Sequence, residues 1–182
     1  MGYVMVDIET TNLDANFGII LCAAVKEEGK KAEVFRIDQQ AGFGDPAYGD
    51  RELVLKLRER LEQCAAVASP IVTWFGTYFD LAYIQTRLLM NGDMPILNPP
   101  MHVDLWKISR YNLKMSNNRL QTASEAFTTK SEKTRIIPGI WLQAVRGEKK
   151  ALDYVVKHCV LDVEITEQVL QRFKPFIKGV KA

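Results

Sequence analysis

Apolar residues follow two different periods along the chain, and the pattern changes from strand-like to helix-like after the first third. The opening part contains apolar or alternating runs at 3–9, 17–25 and 31–38, and a charged turn with a glycine at 27–30 joins the last two. Such runs, rich in β-branched residues and joined by short turns, are typical of hairpin strands. We therefore predict three antiparallel strands, followed by a loop at 39–50 that carries three glycines and a proline.

Beyond this loop, helical patterns alternate with short apolar runs. Leu53, Leu57 and Leu61 recur on one helix face, and Asp50 precedes them as the expected N-cap. The strands expected in this part are 71–75 and 101–106, and the helices are 50–64, 79–90, 138–146 and 148–173, with further short helices between 107 and 146. This order predicts an α/β fold with a central mixed sheet of about five strands, three antiparallel and then parallel ones, flanked by helices.

Composition favours one compact domain over residues 1–182, because 182 residues with a hydrophobic fraction of 47% can bury a substantial core. No apolar run approaches the roughly 20 residues that a membrane-spanning helix needs, and no signal peptide is apparent. Cys22, Cys64 and Cys159 are far apart and odd in number, which is typical of reduced core cysteines. We therefore expect a cytoplasmic, intracellular protein that has no membrane partner.

Charge is distributed unevenly along the chain. Residues 1–106 hold 9 Lys and Arg against 15 Asp and Glu, whereas residues 107–157 hold 11 against 4. An acidic part suited to cations thus precedes a basic part suited to a polyanion, although lysine-rich solvated helices would give the same counts. The candidate phosphate contacts are Lys107, Arg110, Lys114, Arg119, Lys130, Lys133 and Arg135.

Two acids end the first predicted strand. Because side chains alternate along a strand, Asp7 and Glu9 should share one face. Neighbouring carboxylates repel each other and resist burial unless a cation lies between them, and Mg²⁺ or Mn²⁺ prefers such oxygen ligands. The alternative is a strand end with two solvated acids.

Further acids lie on predicted helices. Asp80 opens a helix, where the helix dipole favours a carboxylate, and a simple capping role would explain it equally. Tyr154, His158 and Asp162 are four residues apart and share one helix face. This face is either part of a metal site or the exposed edge of an amphipathic helix.

Three short motifs occur in order: Val-Asp-Ile-Glu-Thr-Thr at 6–11, Gly-Thr-Tyr-Phe-Asp at 76–80 and His-Cys-Val-Leu-Asp at 158–162. Together they resemble the signatures of the DEDD, or DnaQ-like, family of 3′–5′ exonucleases within the RNase H-like superfamily, and most of all its stand-alone bacterial and viral members. The resemblance covers nearly the whole chain. Two departures are that Phe75 stands where the family often has Asn, and that His158 precedes the final acid by four residues, a spacing intermediate between two branches.

The resemblance implies a specific site. The implied ligands of two Mg²⁺ or Mn²⁺ ions are Asp7, Glu9, Asp80 and Asp162, with Asp7 shared between the ions. His158, rather than Tyr154, is the implied general base. The implied substrate contacts are Thr10, Leu13, Phe17 and Tyr78, although Leu13 and Phe17 also fit ordinary packing. Trp74 and Phe75 are expected in the core, and Asp104 at a strand end or on the surface.

The implied activity is two-metal hydrolysis of phosphodiester bonds at single-stranded or frayed 3′ ends of DNA or RNA. A polymerase or another replication or repair protein is a further candidate partner. Two alternatives stay open: an RNase H-like endonuclease, and an inactive module that binds nucleic acid or a polymerase. A blocked 3′ end separates the first alternative from an exonuclease, and a test of metal binding separates the second.

Overall fold

Five strands form one mixed sheet in the computed structural model, which describes residues 2–40, 49–96, 101–127 and 138–177. The strands are β1 (Val4–Thr10), β2 (Ile20–Glu27), β3 (Glu33–Arg36), β4 (Ile71–Thr73) and β5 (His102–Asp104). Their order in the sheet is β3-β2-β1-β4-β5. The predicted mixed five-stranded sheet is confirmed.

The direction of the strands decides where functional side chains meet. β1 pairs antiparallel with β2 from Val4 opposite Glu27 to Thr10 opposite Ile20, and β2 pairs antiparallel with β3. β4 runs parallel to β1, and β5 runs parallel to β4. The carboxyl ends of β1, β4 and β5 therefore lie along one edge of the sheet, where open α/β sheets commonly bind ligands.

Helices flank this sheet, as predicted. They are α1 (Arg51–Ala66), α2 (Asp80–Met90), α3 (Leu105–Asn112), α4 (Leu120–Phe127), α5 (Pro138–Val145) and α6 (Lys149–Phe173). The long helix α6 packs against β1 and β2 and buries Leu152, Val155, Cys159 and Val163. Among the helices that the structure describes, none combines the length and the apolar content that crossing a bilayer requires.

Several predicted elements end at other residues in the structure. β2 begins at Ile20 rather than at residue 17, because Thr11 closes the preceding loop through two hydrogen bonds with the backbone of Ile19. The strand predicted at 101–106 is shorter, since α3 already begins at Leu105 and Trp106 is helical. The third strand covers only Glu33–Arg36. Most of the predicted loop at 39–50 lies outside the described residues.

Asp50 precedes α1 as predicted, but its side chain does not cap that helix. One carboxylate oxygen of Asp50 instead accepts the backbone N–H of Ile20 at 2.8 Å, and the other accepts from Arg87 at 2.8 Å. Asp50 is fully buried, so its charge is neutralised inside the protein and ties β2 to α2. The three cysteines are free and buried, as expected for reduced core residues.

Candidate active site

Asp7 and Glu9 lie near the carboxyl end of β1, and both are half-buried between buried neighbours. Cys159 on α6 donates its thiol hydrogen to the backbone oxygen of Asp7 at 3.4 Å, which holds the helix against this part of the strand. The Oδ2 atom of Asp7 is buried and accepts no hydrogen bond from any described residue. A buried carboxylate oxygen without a donor is costly unless a cation binds it.

Asp80 is the first residue of α2 and is buried beside β1. Its Oδ1 atom accepts the backbone N–H of Ile8 at 3.1 Å, and Ile8 lies between Asp7 and Glu9 in the sequence. The side chain of Asp80 therefore binds the neighbouring strand rather than capping its own helix. This bond fixes the third acid next to the first two.

His158 and Asp162 reach the same place from α6. The Nε2 atom of His158 lies 3.9 Å from Oε1 of Glu9 and 3.7 Å from Oδ2 of Asp162. Candidate ligand atoms of Glu9, His158 and Asp162 all lie within 4.8 Å of one another. The fold thus brings together the acids of all three sequence motifs. Tyr154, one turn earlier on α6, is also half-buried.

Burial and, to a smaller extent, mutual repulsion disfavour the charged forms of these acids. Burial raises the pKa values of Asp7 and Glu9 well above their usual range, and the charges of Asp80 and Asp162 raise them further. Burial also raises the pKa of Asp80 to about 7, although the N–H of Ile8 partly offsets this. Carboxylates that repel one another in this way are stabilised by a hard divalent cation.

The four predicted substrate contacts differ in their exposure and in whether they line a cavity. Leu13 and Phe17 are 80% and 76% exposed, so the interpretation that they are packing residues is wrong. Leu13 and Tyr78 line a cavity of about 210 Å³ beside the start of α2, together with Phe79 and Tyr83. Thr10 is buried, and its hydroxyl donates to the carbonyl of Asn12. Phe17 lies outside the lining of this cavity.

Sequence reasoning missed the part played by Asp104. It does end a strand, but it is buried rather than on the surface. Its carboxylate accepts the backbone N–H groups of Phe75 at 2.9 Å, Thr77 at 3.0 Å and Trp106 at 3.0 Å. The available signal was the position of an Asp directly before a helix, where Asp is a favoured N-cap.

The two aromatic residues after β4 differ from each other. Trp74, expected in the core, is half-buried and packs against it, because its ring lies beside that of Phe173 and its Nε1–H donates to the carbonyl of Asn118. Phe75 is 38% exposed, so the prediction that it belongs to the core is wrong. Its φ of 72° lies in the left-handed region that favours glycine.

Four of the seven predicted phosphate contacts lie in the part of the chain that the structure describes. Lys107 is half-buried, and Arg110, Lys114 and Arg119 are exposed on α3 and the segment after it. Lys130, Lys133 and Arg135 lie outside the described residues.

The same architecture occurs in a protein of known structure. A solved structure of the family B DNA polymerase from the hyperthermophilic archaeon Pyrobaculum calidifontis has the same fold, with a TM-score of 0.73 and 20% sequence identity. The match covers 97% of this chain and 25% of the polymerase chain, so this chain spans about a quarter of that protein's length. No curated protein sequence matches this chain.

A family model of the RNase H superfamily matches residues 4–174, which include all three motifs and every strand of the sheet. This match covers most of the chain. The protein therefore belongs to the RNase H superfamily.

Proposed function

We propose that this protein is a DEDD-type 3′–5′ exonuclease that hydrolyses phosphodiester bonds at the ends of single-stranded DNA or RNA in a metal-dependent reaction. One observation carries the proposal: acids from three distant motifs meet with His158 at one edge of the sheet. Membership of the RNase H superfamily supports it.

The donor set fits two Mg²⁺ or Mn²⁺ ions. It consists of carboxylate oxygens, and one of them, Oδ2 of Asp7, is buried without a hydrogen bond from the described residues. The residues that would hold the ions are Asp7, Glu9, Asp80 and Asp162. Such ions, when bound, supply a more acidic water and neutralise charge on the scissile phosphate.

His158 is suited to act as the general base. Imidazole accepts a proton near neutral pH, and its Nε2 atom faces the acid cluster from α6. Glu9 and Asp162, at 3.9 and 3.7 Å, would orient the ring and stabilise the imidazolium that forms. As His158 takes a proton from water, the water oxygen would attack phosphorus and the bond from phosphorus to the 3′ oxygen of the preceding nucleotide would break. That oxygen would take a proton from solvent and become the new 3′ hydroxyl of the shortened strand, and a nucleoside 5′-monophosphate would be released.

The cavity beside the cluster is suited to the terminal nucleotide. Exposed Leu13 and Tyr78 border it and offer apolar surface to a base, while Thr10 ends β1 and Phe17 lies on the loop that follows. Recognition of a chain end at this point would make the enzyme an exonuclease rather than an endonuclease.

The test is a time course with 5′-labelled single-stranded DNA and RNA in Mn²⁺, with and without a blocked 3′ end. We expect a ladder that shortens one nucleotide at a time from the free 3′ end and stalls at the block. Internal cuts in the blocked strand would instead indicate an RNase H-like endonuclease. Complete absence of hydrolysis, together with no Mn²⁺ or Mg²⁺ binding by calorimetry, would identify an inactive binding module.

A further inference from the structure

Three aromatic rings form a continuous surface next to the candidate site. The ring centroids of Phe75 and Tyr78 are 5.2 Å apart, those of Phe75 and Trp106 are 5.0 Å apart, and those of Tyr78 and Trp106 are 5.9 Å apart. Phe75 and Tyr78 are exposed and Trp106 is half-buried. We name these three residues the aromatic platform.

The backbone beneath this platform is held in an unfavourable conformation. The left-handed φ of Phe75 is maintained by the buried carboxylate of Asp104, which binds the N–H groups of Phe75, Thr77 and Trp106. Gly76 is required between Phe75 and Thr77, because a Cβ atom there would overlap the side chain of Thr73. Strain of this kind clusters at functional sites, and here its result is an exposed phenyl ring.

Positive charge lies beside the platform on α3. The Nζ atom of Lys107 lies 5.4 Å from the ring centroid of Tyr78, and Arg110 and Lys114 are exposed on and just after the same helix, α3. Aromatic rings beside basic side chains are the combination that binds single-stranded nucleic acid, since bases stack on the rings and phosphates bind the cations.

The platform is also continuous with the candidate active site. Tyr78 belongs to the platform and lines the cavity that we assign to the terminal nucleotide, and Asp80 follows it by two residues. A strand that placed its terminal nucleotide in this cavity would continue across Tyr78.

From these observations we propose that the aromatic platform stacks the unpaired bases just upstream of the cleaved nucleotide. The ligand is a single-stranded nucleic acid, bound with little sequence preference because every base has a stacking face. A duplex end cannot use the platform without unpairing, so this surface selects single strands. This inference rests on the proposed function, which supplies the polarity of the strand.

Binding tests the platform without catalysis. Fluorescence anisotropy of a labelled single-stranded oligonucleotide, measured in EDTA, should show binding weakened about 5- to 150-fold by Tyr78→Ala or Trp106→Leu, the equivalent of losing one stacked base. The matched control is Tyr111→Ala, which removes another exposed aromatic ring of α3 and should leave binding unchanged. Thermal unfolding shows which variants are folded. Trp106→Leu is chosen because it retains apolar volume and so favours folding of the variant.

Abasic substitutions in the oligonucleotide identify the group that the platform contacts. One abasic site near the 3′ end should weaken binding to the wild-type protein by a similar factor, and should add little in the Tyr78→Ala variant, because both changes remove the same contact. Fully additive losses, or platform variants that bind single strands as tightly as the wild type, would overturn the inference. Normal binding without hydrolysis would overturn the proposed function alone.

Discussion

Asp50 and Asp80 are both buried acids at the start of a helix, yet Asp50 lies against a cation and Asp80 lies near other acids. Asp50 contacts the guanidinium of Arg87, with distances down to 2.8 Å, and also accepts the N–H of Ile20. Asp80 faces other acids, and burial together with the charges of Asp104 and Asp162 raises its pKa to about 7. Both carboxylates are fixed by secondary structure, so the difference lies in the partners that the fold supplies.

Asp50 is therefore a structural acid, whereas Asp80 is suited to bind an external cation. The chain provides its own cation for Asp50, so the buried charge of this carboxylate is compensated in the folded protein. For Asp7 and Asp80, the described part of the chain contains no Lys or Arg that forms an ion pair with them. A buried acidic cluster without an internal cation is less stable alone than with a bound metal.

The largest expected effect is the loss of hydrolysis when the cluster loses one acid. Asp7→Asn or Asp162→Ala should reduce the rate of nucleotide release by roughly 10⁴-fold or more, the scale seen when one member of a catalytic unit is removed. The free energy of unfolding at pH 8 should not decrease, because each change removes a repelling charge. Asp93→Ala, which removes a surface acid that pairs with Arg51, serves as the control, and full activity in the Asp7 variant would contradict the site.

His158→Ala should slow hydrolysis by about 10²- to 10⁴-fold, which is the usual contribution of a general base. Tyr154→Phe, one turn earlier on the same helix, should leave the rate within about twofold. Single-turnover rates measured across pH compare the two variants. Equal losses in both would show that the polar face of α6 acts through packing rather than through a proton transfer by the imidazole.

Removing the guanidinium beside Asp50 tests how much the internal cation stabilises the fold. Arg87→Ala leaves Asp50 buried without its partner and should cost about 3–5 kcal/mol in the free energy of unfolding, measured by urea denaturation. Arg51→Ala removes an exposed guanidinium from Asp93 and should cost less than about 1 kcal/mol. Similar costs for the two arginines would show that the buried pair contributes no more than a surface pair.

The smallest effect is the dependence of stability on pH and metal. The pKa of Asp80 is raised to about 7 in the folded protein, compared with about 3.9 when unfolded, so the unfolded chain releases this proton first. Without divalent ions, this group should therefore lower the free energy of unfolding as pH rises between about 4 and 7, and the raised pKa values of Asp7 and Glu9 act in the same direction.

Metal should reverse that loss. At pH 8, Mn²⁺ at 100 times its Kd should add about 2.7 kcal/mol to the free energy of unfolding, and it should add less at pH 5, where protons compete. Differential scanning calorimetry with and without EDTA gives both comparisons. Asp80→Asn should make the metal-free profile less steep between about pH 4 and 7, and Asp7 and Glu9 should account for the remaining slope. An unchanged profile in this variant would show that Asp80 does not contribute.

Local patterns were enough to predict the long elements and the motif positions. Helix α2 occupies Asp80–Met90 and α6 occupies Lys149–Phe173, close to the predicted ranges, because the spacing of apolar residues along each helix is a property of the local sequence. The prediction failed at the junctions. Trp106 was expected in a strand, although Asp104 initiates α3 before it.

Errors about burial share one physical cause. Phe17 and Phe75 are apolar, so composition predicts that they are inside, yet both are exposed, since hydrogen bonds of Thr11 and Asp104 shape the turns that carry them. Asp104 and Asp50 are charged, so composition places them near water, yet both are buried among donors that come from distant segments. Such long-range partners leave no periodic signal in the sequence.

Spacing within short segments was enough to predict the mixed sheet, the succession of helices and the acids that mark the three motifs. Only the folded protein shows that Glu9, His158 and Asp162 converge, that Arg87 pairs with Asp50, and that three aromatic rings meet. Convergence depends on strand order and helix packing, which arise from contacts between residues far apart in the chain.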